Sequence, residues 1–397
     1  MLDFQRGIIA LLKSAIDYTK AELPNAFNWQ KAMTLGKSHQ ILPILYYGCN
    51  NSQIEAPPET TSFFKMALLK SAAVEQRQNY YIEKMFALFR EHNIDFMPLK
   101  GAMLRQYYPE TGMRMMSDCD VLIRLPQYPK IRDIMNEIGF EEKYESNHEL
   151  VWEMPNHLTV ELHKFVIPSY NKDYFAYFGD GWHLAKEKLT GSSQYQMTQE
   201  DALIYNFTHM AKHYRDGGIG IRHILDIYVY MQNHQNLDFG YIDGELKKLT
   251  LFNFFYNVLH TIDVWFHDKQ ADEMSDCITN YIFSSGSYGT AKNKNLSSAA
   301  KEAKTAKSAK FIRLKRLIRL VFLPYTYMCQ KYPILEKVPV LLPLMWVVRW
   351  FEIALKGKKY VTARTNANIK DLTADNIESF QQSLHFVGLD FDFKEQP

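Results

Sequence analysis

Cysteine is scarce in this chain of 397 residues, which has four: Cys49, Cys119, Cys277 and Cys329. They are scattered, with no Cys-x-x-Cys pair and no zinc-ligand spacing. A reduced, cytoplasmic protein is the simpler reading. Long hydrophobic runs are also missing. No uncharged apolar stretch reaches the 18 or so residues that cross a bilayer, which speaks against a transmembrane segment. Residues 320–330 and 338–348 come nearest, but Pro324, Pro339 and Pro343 break them. The first residues lack a signal-peptide pattern, because Asp3, Arg6 and Lys13 interrupt the apolar positions and no small-residue cleavage site follows. Phe4, Ile8, Leu11, Leu12 and Ile16 recur instead at helical spacing. Net charge is nearly absent at +2, so the whole chain has no strong preference for a polyanion. There is no internal repeat.

What is present is an ordinary globular composition, 47% hydrophobic and 23% charged, on a chain long enough for two or three domains. Many of the 25 Tyr and 25 Phe are expected in the core, and some in a pocket wall. Residues 1–92 read as an N-terminal helical region, with a long periodic stretch over 62–90 free of Pro and Gly. Residues 93–180 change pattern. Short apolar runs over 94–99, 117–123, 144–154 and 158–165 read as strands. Residues 102–108 and 128–138 read as helices, closed by Pro109 and Gly139. That order predicts an α+β fold, a small mixed sheet flanked by N-terminal and C-terminal helical regions. Residues 181–283 read as a helical substrate region, with Thr198 capping a helix and Asp201 three residues on. Residues 284–308, rich in Ser, Gly, Ala and Lys, read as a linker or mobile loop. Residues 309–397 form a basic, then apolar C-terminal region and tail.

Asp118 and Asp120 are two apart on a predicted strand. Alternation points both carboxylates to one face, about 6–7 Å apart. Two hard oxygen donors so placed can hold Mg²⁺ or Mn²⁺, as phosphoryl transfer requires. An isolated Asp-x-Asp pair is more often the solvated end of a strand. Three further features strengthen it. In the run 158–163, Thr159, Glu161 and His163 share a face, so Glu161 can supply a third carboxylate from a neighbouring strand. Lys100–Gly101 follows a strand and precedes a helix, where glycine, the helix N-terminus and an ammonium together suit a phosphate. Arg114 can clamp phosphate oxygens, or it can be a counter-ion to the carboxylates.

The segments 98–109 and 114–123, which carry Lys100, Gly101, Arg114, Ser117, Asp118 and Asp120, resemble the uncharacterised nucleotidyltransferase family of the polymerase-β-like superfamily. Val160–His163 is similar to that family's third-carboxylate strand, and the likeness continues into 209–213 and 222–226. It covers roughly residues 60 to 230. The resemblance implies Asp118, Asp120 and Glu161 as catalytic metal ligands for two Mg²⁺ (or Mn²⁺) ions. It also implies a nucleotide transferred from an NTP, ATP among them, to an acceptor: a small molecule, a sugar, a protein or an RNA. Lys100, Gly101, Arg114 and Ser117 are then the nucleotide- and phosphate-side candidates. The superfamily usually carries Gly-Ser or Gly-Gly where this chain has Lys100–Gly101. That departure keeps a second reading open, a catalytically inactive nucleotide-binding or regulatory module, accessory to envelope or polysaccharide assembly.

His209 and His213 share a helix face at i, i+4 and are candidates for a pocket, as are His163, Arg222 and Asp226. Arg222 and Asp226 read equally as an intrahelical ion pair. Gly36–Lys37–Ser38 lacks the earlier glycine of a phosphate loop. His148–Glu149 lacks the histidine that would make a zinc-protease motif. Residues 307–320 combine Lys310, Arg313, Lys315, Arg316 and Arg319 with Phe311, Ile312, Leu314, Leu317 and Ile318. This basic amphipathic helix suits an anionic membrane surface, a nucleic acid, or the core with a solvated basic face.

Overall fold

The computed structural model describes residues 1–287, 289–303, 309–355 and 372–390. Helices α1 (Asp3–Asp17), α2 (Trp29–His39), α3 (Leu42–Ser52) and α4 (Pro58–Glu91) come first. Strand β1 (Phe96–Pro98), helix α5 (Lys100–Leu104), strand β2 (Asp118–Ile123), helix α6 (Tyr128–Ile138) and strands β3 (Glu141–Glu145), β4 (Glu149–Met154) and β5 (Leu158–His163) follow. Next are α7 (Lys172–Phe178), a small ribbon of β6 (Lys186–Glu187) and β7 (Tyr195–Gln196), and helices α8 (Gln199–Asp216), α9 (Ile221–Asn233), α10 (Phe239–Lys248), α11 (Phe252–Phe266) and α12 (Glu273–Ser285). The last described helices are α13 (Ala291–Ala303), α14 (Ala309–Val321), α15 (Tyr325–Lys331), α16 (Ile334–Lys337), α17 (Leu342–Leu355) and α18 (Ala374–Phe386). The fold is α+β, a mixed sheet flanked by helices.

The five-stranded sheet has the order β1-β2-β5-β4-β3. Only β2 and β5 pair in parallel, and the other neighbours are antiparallel. A parallel pair needs a crossover, and here α6 and the β3–β4 hairpin provide it. Alternation then divides the sheet by chemistry. Cys119, Val121 and Ile123 of β2, Leu150, Trp152 and Met154 of β4, and Leu158, Val160 and Leu162 of β5 point to one side. They pack there with Ile82, Met85, Phe86 and Phe89 of α4 and Ile131, Ile134, Met135 and Ile138 of α6. Each fully buried aliphatic or aromatic side chain in this layer contributes about 1.5–3 kcal/mol. The intervening residues, Asp118, Asp120, Glu149, Glu161 and His163, are left for the opposite face.

Local chemistry sets the element ends. Helix α4 opens on Pro58 and has no Pro or Gly inside. Helix α6 carries a proline in its first turn and stops at Gly139, whose φ of 101° suits glycine. Helices α1 and α3 cross closely at Gly48, where a Cβ would meet the Leu11 carbonyl oxygen at 2.1 Å.

Three local expectations change. The stretch 144–154 is part of a hairpin, not one strand, because Ser146 folds the chain back. Its Oγ accepts from the backbone N–H groups of His148 and Glu149 at 3.2 and 3.0 Å. The helix after β1 begins at Lys100 rather than Ala102 and tightens into a 3₁₀ turn over Arg105–Tyr107. Within 284–308, read as a linker or mobile loop, Ala291–Ala303 is a helix. Its Ala and Lys content favours helix and no Pro or Gly interrupts it.

The described residues form two compact units. One contains 1–212 and 219–287, and the other contains 213–218 with the described residues after 288. In the second, α18 packs on α13 and α14. A small buried cluster of Met328, Cys329 and Leu335 sits against Leu323, Tyr332, Met345 and Trp346.

In the first unit, His39 at the end of α2 accepts the Ile221 backbone N–H on Nδ1 at 3.1 Å, supplying a partner to an otherwise orphaned group in the first turn of α9. A protonated ring cannot accept that bond. Burial also disfavours the charge, so the His39 pKa falls from 6.5 to about 4. The contribution of neutral His39 is therefore complete above pH 6.5 and lost as the pH falls toward 4, by about 3 kcal/mol at most. Urea unfolding should show the stability gap between wild type and His39→Gln narrowing over that interval. A gap that stays constant would refute the assignment.

Candidate functional site

The polar face of the sheet centres on Asp120, which is almost completely buried. Its Oδ1 receives two bonds, from Lys100 Nζ at 2.5 Å and from His163 Nε2 at 2.7 Å. Neither uses Oδ2. Burial raises the cost of the Asp120 charge, but the Lys100 ammonium and the His163 hydrogen bond outweigh it and hold the carboxyl well below its usual range. Burial likewise works against the Lys100 charge, and Asp120 more than restores it, so Lys100 stays an ammonium.

The parallel register sets Asp120 opposite Glu161 and Asp118 opposite Thr159. Glu161 Oε2 lies 3.5 Å from His163 Nε2. Ligand atoms of Asp120, Glu161 and His163 all fall within 4.8 Å of one another, close enough to share one ion. Asp118 completes no such set among the described residues, yet it feels the same field. Burial first, then the like charges of Asp120 and Glu161, push it up to about 6 against the opposing pull of Lys100 and Arg222. Clustered carboxylates with this excess of negative charge fit a divalent cation. The expected trio of Asp118, Asp120 and Glu161 does lie on one sheet face, and the structure adds His163 to its tightest part.

The phosphate-side candidates are placed differently. Lys100 spends its ammonium on Asp120 and takes a left-handed backbone conformation, with φ of 45°. Gly101 packs closely, since a Cβ there would meet Met116 Cγ at 3.1 Å. Ser117 is exposed just before β2. Arg114 is committed elsewhere: its Nε and Nη2 hold both oxygens of Asp226 at 2.7 and 2.9 Å, and its Nη1 donates to the Met115 carbonyl. Tyr108 donates to the same Asp226 at 2.8 Å. Asp226 therefore pairs with Arg114 across the chain, not with Arg222 along the helix. Arg222 reaches Gln40 Oε1 and the Met115 carbonyl. His209 and His213 lie on α8, His209 near the Tyr205 ring, and neither joins a metal-capable group among the described residues.

Two residues that sequence reasoning passed over stand beside the cluster. Glu149 is the cross-strand partner of His163. His148 Nε2 lies 3.0 Å from His163 Nδ1. Burial, then the charge of His163, lowers His148 to about 3. His163 thus links two groups through its two ring nitrogens. A cavity of about 590 Å³ opens nearby, lined by Lys100, Met103, Arg105, Tyr108, Gln194 and Tyr205 among others. It adjoins the cluster through Lys100, and the carboxylates themselves do not line it.

The Arg114–Asp226 pair is buried and bidentate, so removing one partner strands a charge. Arg114→Ala should cost about 3–5 kcal/mol in urea unfolding. Unchanged stability would show that the guanidinium is free for another role.

The family model described as an uncharacterised nucleotidyltransferase matches residues 25–267. That is more than half of the chain, and the chain belongs to this family. No curated protein and no solved structure matches.

Proposed function

From membership of this nucleotidyltransferase family, we propose a metal-dependent enzyme that transfers a nucleoside monophosphate from an NTP to an acceptor and releases pyrophosphate. The observation that carries the reading is the facing of Asp120 and Glu161 on adjacent parallel strands, with Asp118 on the same face. These three carboxylates would hold Mg²⁺ or Mn²⁺, in one or two ions. A bound divalent ion neutralises triphosphate charge and activates the attacking oxygen. The chain's own residues do the rest. His163 and Lys100 both bond Asp120 Oδ1 and so fix the carboxylate's orientation. Lys100, at the edge of the cavity, is within reach of a β- or γ-phosphate if its side chain leaves Asp120. Gly101 and Ser117 remain the accompanying phosphate-side candidates. The cavity beside Lys100 and Tyr205 suits the nucleoside or the acceptor, whether small molecule, sugar, protein or RNA. Arg114 and Asp226 support the wall rather than grip phosphate.

The Lys100–Asp120 pair also favours a second reading, a non-catalytic nucleotide-binding module, because it satisfies the carboxylate without a metal. Nucleotide and Mg²⁺ binding by calorimetry, followed in parallel with pyrophosphate release, separates the two. With α-labelled NTPs and a cell extract as the acceptor source, Asp118→Asn should lower metal-dependent transfer more than about a hundredfold. Its thermal melt should remain cooperative. Undiminished transfer in that variant would remove the carboxylates from the mechanism.

Peripheral contact with the membrane from the cytoplasmic side extends the proposal. Lys307 lies outside the described residues, as do the side chains of Lys310, Ile312, Arg313 and Leu317. On α14, Phe311, Leu314 and Ile318 recur on one face and are 60%, 54% and 50% exposed. Lys315 and Arg319 are exposed on the same helix. Among the described residues no helix is long and apolar enough to cross a membrane. The full chain should sediment with phosphatidylserine vesicles more than with pure phosphatidylcholine, and less at high salt. Equal partitioning would count against the contact.

A further inference from the structure

We infer that His148, Glu149 and His163 form a binding site for a transition-metal ion of the zinc class, separate from the carboxylate set. Three donor atoms converge there. His148 Nε2 and His163 Nδ1 are 3.0 Å apart. Glu149 Oε2 lies 3.9 Å from each of them. That carboxylate is too far for a hydrogen bond to either ring. Ligands at 2.0–2.1 Å in a tetrahedral zinc site stand about 3.3 Å from one another. The observed triangle brackets that value, so small side-chain rotations close it around an ion. Three protein ligands leave the fourth tetrahedral position open to water or substrate.

The surroundings fit the same chemistry. His163 Nε2 donates to Asp120 Oδ1 at 2.7 Å. With a proton on Nε2, the ring would offer its Nδ1 lone pair to an ion once any proton on Nδ1 is released, the carboxylate–histidine–metal arrangement that orients imidazole ligands. The His148 ring makes its hydrogen bond to His163 at the site, while its Nδ1 is buried without a hydrogen-bond partner. The turn that delivers His148 is fixed by Ser146 Oγ and by the Lys164 N–H bond to the His148 carbonyl at 2.9 Å. Two imidazoles in three ligands select Zn²⁺ or a neighbouring transition metal over Mg²⁺, which prefers oxygen. The cations Lys100 and Lys212 lie within electrostatic range of His148. Asp118, Asp120, Glu149 and Glu161 outnumber them. The ion would sit on the far side of the His163 ring from Asp120, so that one imidazole supports both centres.

The inference does not depend on nucleotide transfer and is tested without nucleotide. Zn²⁺ alone is titrated into the full chain against a competing chelator, with Co²⁺ as a spectroscopic probe. Wild type should bind one equivalent, give tetrahedral Co²⁺ bands in the visible, and melt at a higher temperature with Zn²⁺ than without. His148→Ala and Glu149→Gln should each weaken Zn²⁺ by more than about tenfold. Asp118→Asn should change it by less than about threefold, a range short of a lost ligand. Glu149→Gln, at a partly exposed position, decides the matter if His148→Ala fails to fold. Unchanged Zn²⁺ affinity in Glu149→Gln would overturn the assignment. So would an equal loss in Asp118→Asn, because the ion would then belong to the carboxylates.

Discussion

A single buried oxygen, Asp120 Oδ1, organises this site. Removing a carboxylate from water costs several kcal/mol even after relaxation. Here the cost is met by two donors on one atom, the Lys100 ammonium and the His163 ring. Each is then constrained. Lys100 adopts a left-handed backbone that an ordinary side chain avoids at a cost of about 1–3 kcal/mol. Leu99, just before it, ties β1 to β2 by donating to the Asp120 carbonyl at 2.9 Å. His163 must present Nε2 to Asp120, which commits its other nitrogen to the far side. The left-handed backbone of Lys100 and the orientation of the His163 ring thus accompany the burial of Asp120.

The sequence made the sheet's division legible because period two needs no tertiary information. Asp118 had to share a face with Asp120, and Glu161 with His163, if β2 and β5 were strands. The parallel pairing that sets Asp120 against Glu161 then follows from β5 entering beside β2. Helix α6 was equally readable, with proline at its start and glycine at its end. His148 and Glu149 were not readable in the same way. In a continuous strand over 144–154 they would point to opposite faces. The Ser146 turn cancels the alternation at His148, and a serine hydroxyl bonding two backbone groups leaves no periodic signal.

Counter-ion choice was hidden for a different reason. Arg114 sits four residues from Asp118 and reads naturally as its partner or as a phosphate clamp. Its guanidinium instead meets Asp226, far along the chain, in a bidentate geometry that Tyr108 reinforces. Arg222, one helical turn from Asp226, is drawn to Gln40 and to a backbone carbonyl. Proximity in sequence promises a pair only where the side chains share a surface, and packing decides which surface that is. The same limit applied to Lys100, whose charge was legible and whose destination was not.

The tethered ammonium of Lys100 has one further consequence. Any cation approaching Asp120 meets a competitor that never diffuses away, held at the carboxylate by its own backbone. Tethering gives such a group an effective concentration in the millimolar range or above. A monovalent ion brings no more charge than the ammonium it would displace, whereas a divalent ion brings twice as much. On the proposed metal-dependent reading, Lys100 would act as a threshold on charge density. If the proposed divalent ion takes that seat, sodium and potassium would be discouraged and the Lys100 ammonium would be released toward the cavity it lines.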